Sequence, residues 1–269
     1  MEQSVETAVR RAIATMHGNL GERLTVDDLA RAARFSKFHF TRVFQRITGI
    51  SPGRFLSALR LQKAKRLLVS TSLSVVDISV QVGYNSVGTF SSRFSRSVGM
   101  SPTAYRRLRG HAPQIATYPL PAMPSRARVS GWASLPGTHQ NQMIFLGLFP
   151  ERVLEGRPVR CTVLTRPGPY RFDTVPEGTW YLLAQSIAHD GLHTTMDTDS
   201  PRLCVAAQGP LEISSTSLVH TSLQLKPARS IDPPALLALT DARRLALACL
   251  AEEPRGNPET VSSGRQQAA

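Results

Sequence analysis

The chain has 269 residues, enough for two ordinary domains, and 41% of them are hydrophobic, which supports packed cores and excludes a disordered polyelectrolyte. Apolar runs such as 143–148 fall far short of the roughly 20 residues a bilayer span needs, and MEQSVETAVRRAIATM has early acids and no continuous apolar core, so neither a membrane protein nor a secretory leader is expected. Lys and Arg number 18 against 6 Asp and Glu in residues 1–110, net +12, but 14 against 13 in residues 111–269, net +1; basicity suited to a polyanion is concentrated in one part.

The first recognisable elements form a repeat. At an offset of 49, Leu24, Val26 and Asp28 recur as Leu73, Val75 and Asp77; at an offset of 50, Ser36, Phe40, Phe44, Arg46, Gly49, Ser51 and Pro52 recur as Ser86, Phe90, Phe94, Arg96, Gly99, Ser101 and Pro102, with the extra residue at Asn85. Each copy predicts a helix, a tight turn and a second helix. Thr25 and Ser74 suit N-caps because their side-chain oxygens can accept from free backbone N–H groups, and Asp28 and Asp77 follow on the positive helix ends. Gly83 suits a turn that needs positive φ. Phenylalanines four apart, Phe40 with Phe44 and Phe90 with Phe94, predict one buried face on each second helix. The opposite face of the first copy carries Lys37, Thr41, Arg42, Gln45 and Arg46, donors of the kinds that reach base edges and phosphates. Between the copies, SPGRFLSALRLQKAKRLLVS predicts a helix entered at Pro52; about 18 helical residues span roughly 27 Å, which suits two reading helices about one DNA turn apart.

The stretch from about Leu24 to Arg107 resembles the double helix-turn-helix DNA-binding domain of AraC/XylS-type bacterial transcriptional regulators, most specifically in VVDISVQVGYNSVGTFSSRFSRSVGMSPTAYRR. The resemblance implies a cytoplasmic, nucleoid-associated regulator of the activator kind. Its partners would be double-stranded operator or promoter DNA and RNA polymerase, with two recognition helices in successive major grooves and no cofactor. Carried over by motif, the groove contacts fall on Lys37, Phe38, Thr41 and Arg42 in the first unit and on Ser86, Val87, Gly88, Ser91 and Ser92 in the second. Gln45, Arg46, Arg93 and Arg96 complete the expected DNA-binding set. The family often has an arginine where this chain has Ser92; here the arginine is Arg93, about 100° further round the helix.

Residues 1–109 are therefore expected to form the all-α reader, and the proline-rich 110–125 a linker. A mainly-β, sandwich-like accessory domain is expected over 126–253. Its expected strands are RVSGW, MIFLGLF, PVRCTVL, YRFDTV, TWYLLAQSI, RLCVAA and VHTSLQL, separated by Pro/Gly/Asp-rich turns. The run from VSGW to TWYLLAQ weakly resembles transthyretin-like or carboxypeptidase-regulatory-like sandwiches. A C-terminal amphipathic helix is expected over 234–252, with apolar positions Leu236, Leu239, Leu245 and Leu250 packing on its own sandwich, followed by a disordered tail over 254–269.

Chemistry is harder to find in this half. His189 and His193, near Asp190, Asp197 and Asp199, lie in a glycine- and threonine-containing loop and are not expected to bind metal. Cys161, Cys204 and Cys249 have neither disulfide nor zinc spacing. An alternative with an enzymatic, DNA-repair alkyltransferase-like second domain requires an activated cysteine, whereas Cys161 and Cys204 sit in strand-like runs with no adjacent histidine. The protein is therefore expected not to be an enzyme. Three roles stay open for the second domain: sensing a small-molecule effector in a pocket near Trp132, Trp180 and Tyr181, contacting another protein, or simply packing those aromatics in a core.

Overall fold

A computed structural model describes residues 2–110, 125–137, 142–187 and 203–238. The helical part comprises α1 (Glu2–Gly18), α2 (Val26–Ala33), α3 (Lys37–Thr48), α4 (Pro52–Ser70), α5 (Val75–Gln81), α6 (Val87–Val98) and α7 (Pro102–Arg107). Helix α1 is additional to the expected elements. It closes the first unit by burying Ala8, Val9, Ala12, Ile13 and Met16 against α2 and α3.

Both short first helices start as expected. The Thr25 and Ser74 side chains accept from the N–H groups of Asp28 and Asp77, whose carboxylates reach back to the cap residues, forming a reciprocal capping box at each site. Inside the units, Phe40 and Phe44 lie 5.4 Å apart, and Phe90 and Phe94 5.6 Å. An edge-on ring at an equivalent position of the next helix completes each stack: Phe55 against Phe44 at 5.4 Å, and Tyr105 against Phe94 at 5.5 Å. Helix α4 is a wall of both cores: Phe55, Leu56 and Leu59 belong to the first, and Ala58, Leu61, Ala64, Leu67 and Leu68 to the second. Its buried residues therefore run round the helix rather than along one stripe, as expected of an element enclosed from several sides.

At Gly83 the two units touch. Its φ is +85°, and a Cβ there would lie 2.4 Å from the Leu20 carbonyl oxygen and 2.7 Å from the Arg60 guanidinium. That guanidinium in turn donates to the Leu20 and Glu22 carbonyls at 2.9 and 2.7 Å, tying α4 to the loop after α1.

The second half is a two-layer β structure. Its strands are β1 (Arg128–Ser134), β2 (Met143–Phe149), β3 (Arg160–Leu164), β4 (Gly168–Phe172), β5 (Gly178–Ile187), β6 (Cys204–Ile213), β7 (Leu218–His220), β8 (Leu223–Gln224) and β9 (Lys226–Pro227). One sheet has the order β4-β1-β7 with β8 also on β1; the other runs β3-β2-β5-β6-β9. Side chains of alternate residues meet between the layers: Val129 and Ala133 from β1, Tyr170 and Phe172 from β4, and Ile144, Leu146, Leu148, Leu182 and Ala184 from the facing sheet. The run MIFLGLF does not alternate because β2 is buried on both faces. Phe145 and Phe149 point the other way and join Leu154, Leu183 and Leu237. Gly147 leaves room for them, since a Cβ there would come within 2.7 Å of Phe149.

That outer layer joins the two halves. Val153 and Ile231 pack into the first helical core, and Leu236 and Ala238 into the second. Hydrogen bonds run from Gly156 N to Ser97 O at 2.8 Å and from Ala238 N to Val98 O at 3.4 Å. The expected C-terminal helix does not begin at Pro234, and residues 234–238 are non-helical. The N–H groups of Leu236 and Leu237 donate to the Leu154 carbonyl instead of forming a helical ladder, and the carbonyls of the same two residues accept from Lys65 Nζ at 2.9 and 3.2 Å. The rest of that helix (239–252), the tail (254–269) and linker residues 111–124 lie outside the described residues.

Candidate nucleic-acid interface

Burying the phenylalanine faces of α3 and α6 leaves their other faces outward. On α3 this exposes Lys37, Phe38, Arg42, Gln45 and Arg46, with Thr41 half-buried. Phe38 is 82% exposed, an apolar ring displayed among cations and amides. Lys37 Nζ lies 2.7 Å from Asp27 Oδ2, and Thr41 Oγ1 donates to the Lys37 carbonyl at 2.9 Å. Arg42 and Gln45 stand one turn apart in solvent and can each offer a paired contact to a base edge.

The corresponding face of α6 has less hydrogen-bonding chemistry. Ser86 is the N-cap and accepts from Thr89 N at 3.2 Å. Val87, Gly88 and Ser92 are exposed, while Ser91 and Arg93 are half-buried. Ser57, Tyr84, Gly88, Thr89, Ser92, Arg93 and Arg96 line an open hollow of about 540 Å³ between α4 and α6, a hydroxyl- and guanidinium-rich seat suited to a phosphate. Arg96 is exposed at its edge.

Arg93, also in the expected DNA-binding set, has partners within the molecule. Its guanidinium lies 3.4 Å from both carboxylate oxygens of Glu155 and 3.4 Å from Ser57 Oγ, so at the wall of the hollow its charge is paired within the molecule. Glu155 also holds Arg54 at 2.6 Å, and Arg54 pairs with Glu151 as well. Only 11% of the Glu155 side chain is exposed. This acid, from the connection between β2 and β3, couples the start of α4 to α6. Sequence reasoning passed over Arg54, Glu151 and Glu155, since no local pattern signals a pairing between residues 101 positions apart.

Lys65 carries no such local signal either. Its ammonium is held by the Leu236 and Leu237 carbonyls, 5.8 Å above the Tyr105 ring centroid, and burial pushes its pKa down to about 7. Burial has the opposite direction of effect on the acids nearby: it raises the Tyr105 hydroxyl.

In the β half the three aromatic candidates do not share a pocket. Trp132 is 53% exposed on the outside of β1. Trp180 packs on the interlayer core and donates Nε1–H to Pro176 O at 2.8 Å, whereas Tyr181, the next residue of β5, joins the opposite cluster. Adjacent strand residues point to opposite faces, and that separates them. Cys161 is half-buried and Cys204 buried, and burial pushes both thiols up, away from the thiolate an alkyl acceptor needs. His189, His193, Asp190, Asp197, Asp199 and Cys249 lie outside the described residues.

Comparison with known proteins matches this geometry. A family profile described as a helix-turn-helix domain covers residues 29–108. The chain is 33% identical over 104 residues, 39% of its own length and 77% of the other's, to the HTH-type transcriptional activator AarP of Providencia stuartii. The chain belongs to the AraC-type helix-turn-helix transcriptional regulators. It is 30% identical over 106 residues to the regulator YobQ of Bacillus subtilis, covering 39% of this chain and 44% of that one, so it spans less than half of that relative. A crystal structure of a regulator with an AraC-type DNA-binding domain from Chromobacterium violaceum is 31% identical, with a TM-score of 0.38, and the match covers 39% of this chain and 93% of that one. As an AraC-type regulator the protein binds DNA through its helical half. No helix among the described residues is long and apolar enough to cross a membrane.

Proposed function

We propose that the protein reads a bipartite operator with α3 and α6 in successive major grooves, the first unit supplying most of the base discrimination and the second mostly docking. The observation that carries this reading is the contrast between the outward faces: Lys37, Arg42, Gln45 and Arg46 on α3 against Val87, Gly88, Ser91 and Ser92 on α6. Helix α4 supports the spacing, since 19 residues extend about 28 Å, close to a DNA turn. Arg96 and the hollow beside it seat a phosphate; Arg93 joins it when Glu155 lets go.

The β half regulates the reader through two attachments, Glu155 on Arg54 and Arg93, and Lys65 under the strap formed by residues 236–237. An effector, RNA polymerase contact and a place in the cytoplasm on the nucleoid complete the proposal. Selecting bound sites from random DNA with the full chain tests it. We expect one well-defined half-site and, about one turn away, a degenerate or A/T-biased one. Two halves of equal information, or no enriched sequence, would overturn it. The Arg96→Ala protein should bind all sequences more weakly, with a salt slope about one unit shallower.

A further inference from the structure

The outer face of β5, β6 and β9 does not meet the helical half everywhere. Between them lies a cavity of about 410 Å³, within the range of sites that hold small organic ligands. Its floor carries an apolar strip beside an amide: Leu183 from β5 and Val205 and Ala207 from β6 project to the same side as Gln185, because Leu183 pairs with Ala207 and Gln185 with Val205. The wall opposite is Ile47 and Thr48, the last turn of α3. Thr48 Oγ1 already donates to the Phe44 and Ile50 carbonyls, so it shapes this wall without offering a free donor.

Charge is distributed unevenly around the mouth. Arg152, Lys226 and Arg229 line it with a single carboxylate, Asp232. That carboxylate is committed to Arg229, accepting from its N–H at 2.8 Å and from its guanidinium at 3.2 Å. Arg152 and Lys226 have no carboxylate partner among the described residues, and both are exposed at the rim. An apolar strip beneath two cations that have no carboxylate partner among the described residues suits a molecule with a short hydrocarbon body and one negative end. A neutral molecule would leave the rim unused, and a compact inorganic anion would leave the floor bare.

We propose that this cavity is the binding site for a small amphipathic carboxylate, its chain on Leu183, Val205 and Ala207 and its carboxylate between Arg152 and Lys226. Its position gives such a ligand access to the reader. The Arg152 side chain lies against Gly49, the residue that ends α3, so close that a Cβ on Gly49 would meet Arg152 Cδ at 2.5 Å. Drawing Arg152 toward a carboxylate therefore acts on the end of the helix that carries Arg42 and Gln45. This role rests on the reading of the β half as a regulator; binding itself does not.

Octanoate and octanamide, which share a chain and differ in charge, are the probes. Titrated calorimetrically into the full chain, octanoate should bind at least tenfold more tightly than octanamide. Arg152→Gln and Lys226→Gln should each weaken octanoate several-fold and leave octanamide unchanged, whereas Ala207→Leu should exclude both while preserving the thermal transition. Equal binding of the two probes, no binding of octanoate, or indifference of the Arg152→Gln/Lys226→Gln double variant would overturn the site. DNA affinity with and without octanoate is read separately by anisotropy. Binding of octanoate with unchanged DNA affinity would keep the site and overturn its regulatory role; loss of the site with intact DNA affinity would leave the DNA-reading proposal standing.

Discussion

The two helix-turn-helix units are nearly the same inside and different outside. Each has a capping box, a pair of phenylalanines four residues apart, and an edge-on aromatic from the helix that follows. Their outward faces diverge because the core fixes only one side of a reading helix. Selection for folding thus constrains Phe40, Phe44, Phe90 and Phe94, while Arg42 can stand where the other unit has Ser92. A duplicated scaffold therefore need not make a duplicated reader.

If the interiors are equivalent, Phe44→Ala and Phe94→Ala should cost similar amounts, about 3–5 kcal/mol each, in denaturant unfolding. A difference well beyond 1 kcal/mol would break the comparison at its root. The second core has one feature without a counterpart in the first, the buried ammonium of Lys65. With a pKa near 7 in the folded protein and 10.5 as the ordinary value, the unfolded chain binds more protons between these limits. Stability should therefore rise as pH goes from about 7 toward 10.5, with the penalty fully present below 7. Melting temperatures of the Lys65→Met protein should lack that rise.

The outward faces separate by smaller energies. Arg42→Ala should remove about 1–3 kcal/mol of base discrimination from one half-site, seen as flattened preference in selected sequences, whereas Ser92→Ala should alter the other half little. Glu155→Gln should free Arg93 while Arg54 keeps Glu151, raise affinity for all sequences at low salt and steepen the salt slope by about one unit, in an anisotropy titration. The caps provide the finest contrast. Ser86 accepts from Thr89 N, but Ser36, its equivalent, makes no side-chain cap bond. Ser86→Ala should cost about 1 kcal/mol in thermal unfolding and Ser36→Ala no more than a few tenths.

The repeat was legible because caps, turns and phenylalanine spacing are local signals. The strands were legible too, as short runs between turn residues, although the uniform burial of β2 depends on what covers its second face. Helix α1 lies outside the repeat, and its only signal is the helical spacing of Ala8, Val9, Ala12, Ile13 and Met16. Where the halves meet, legibility ended. The pairing of Arg93 with Glu155, far away in sequence, has no local signal, and Leu236 reads as part of an amphipathic helix until Lys65 and Leu154 take its backbone groups.

Helix α4 is a rigid spacer, and a spacer made of helix has a phase. One residue added within it would turn the second unit by about 100° and advance it about 1.5 Å, carrying α6 off the face of DNA that α3 addresses. The chain cannot absorb the change by slipping, because Phe55, Leu56 and Leu59 are locked into one core and Leu61, Ala64, Leu67 and Leu68 into the other. On the nucleic acid, one base pair inserted between half-sites rotates them by about 35° relative to each other. With α3 and α6 in successive grooves, as proposed, operators can therefore drift by base substitution much more freely than by insertion or deletion.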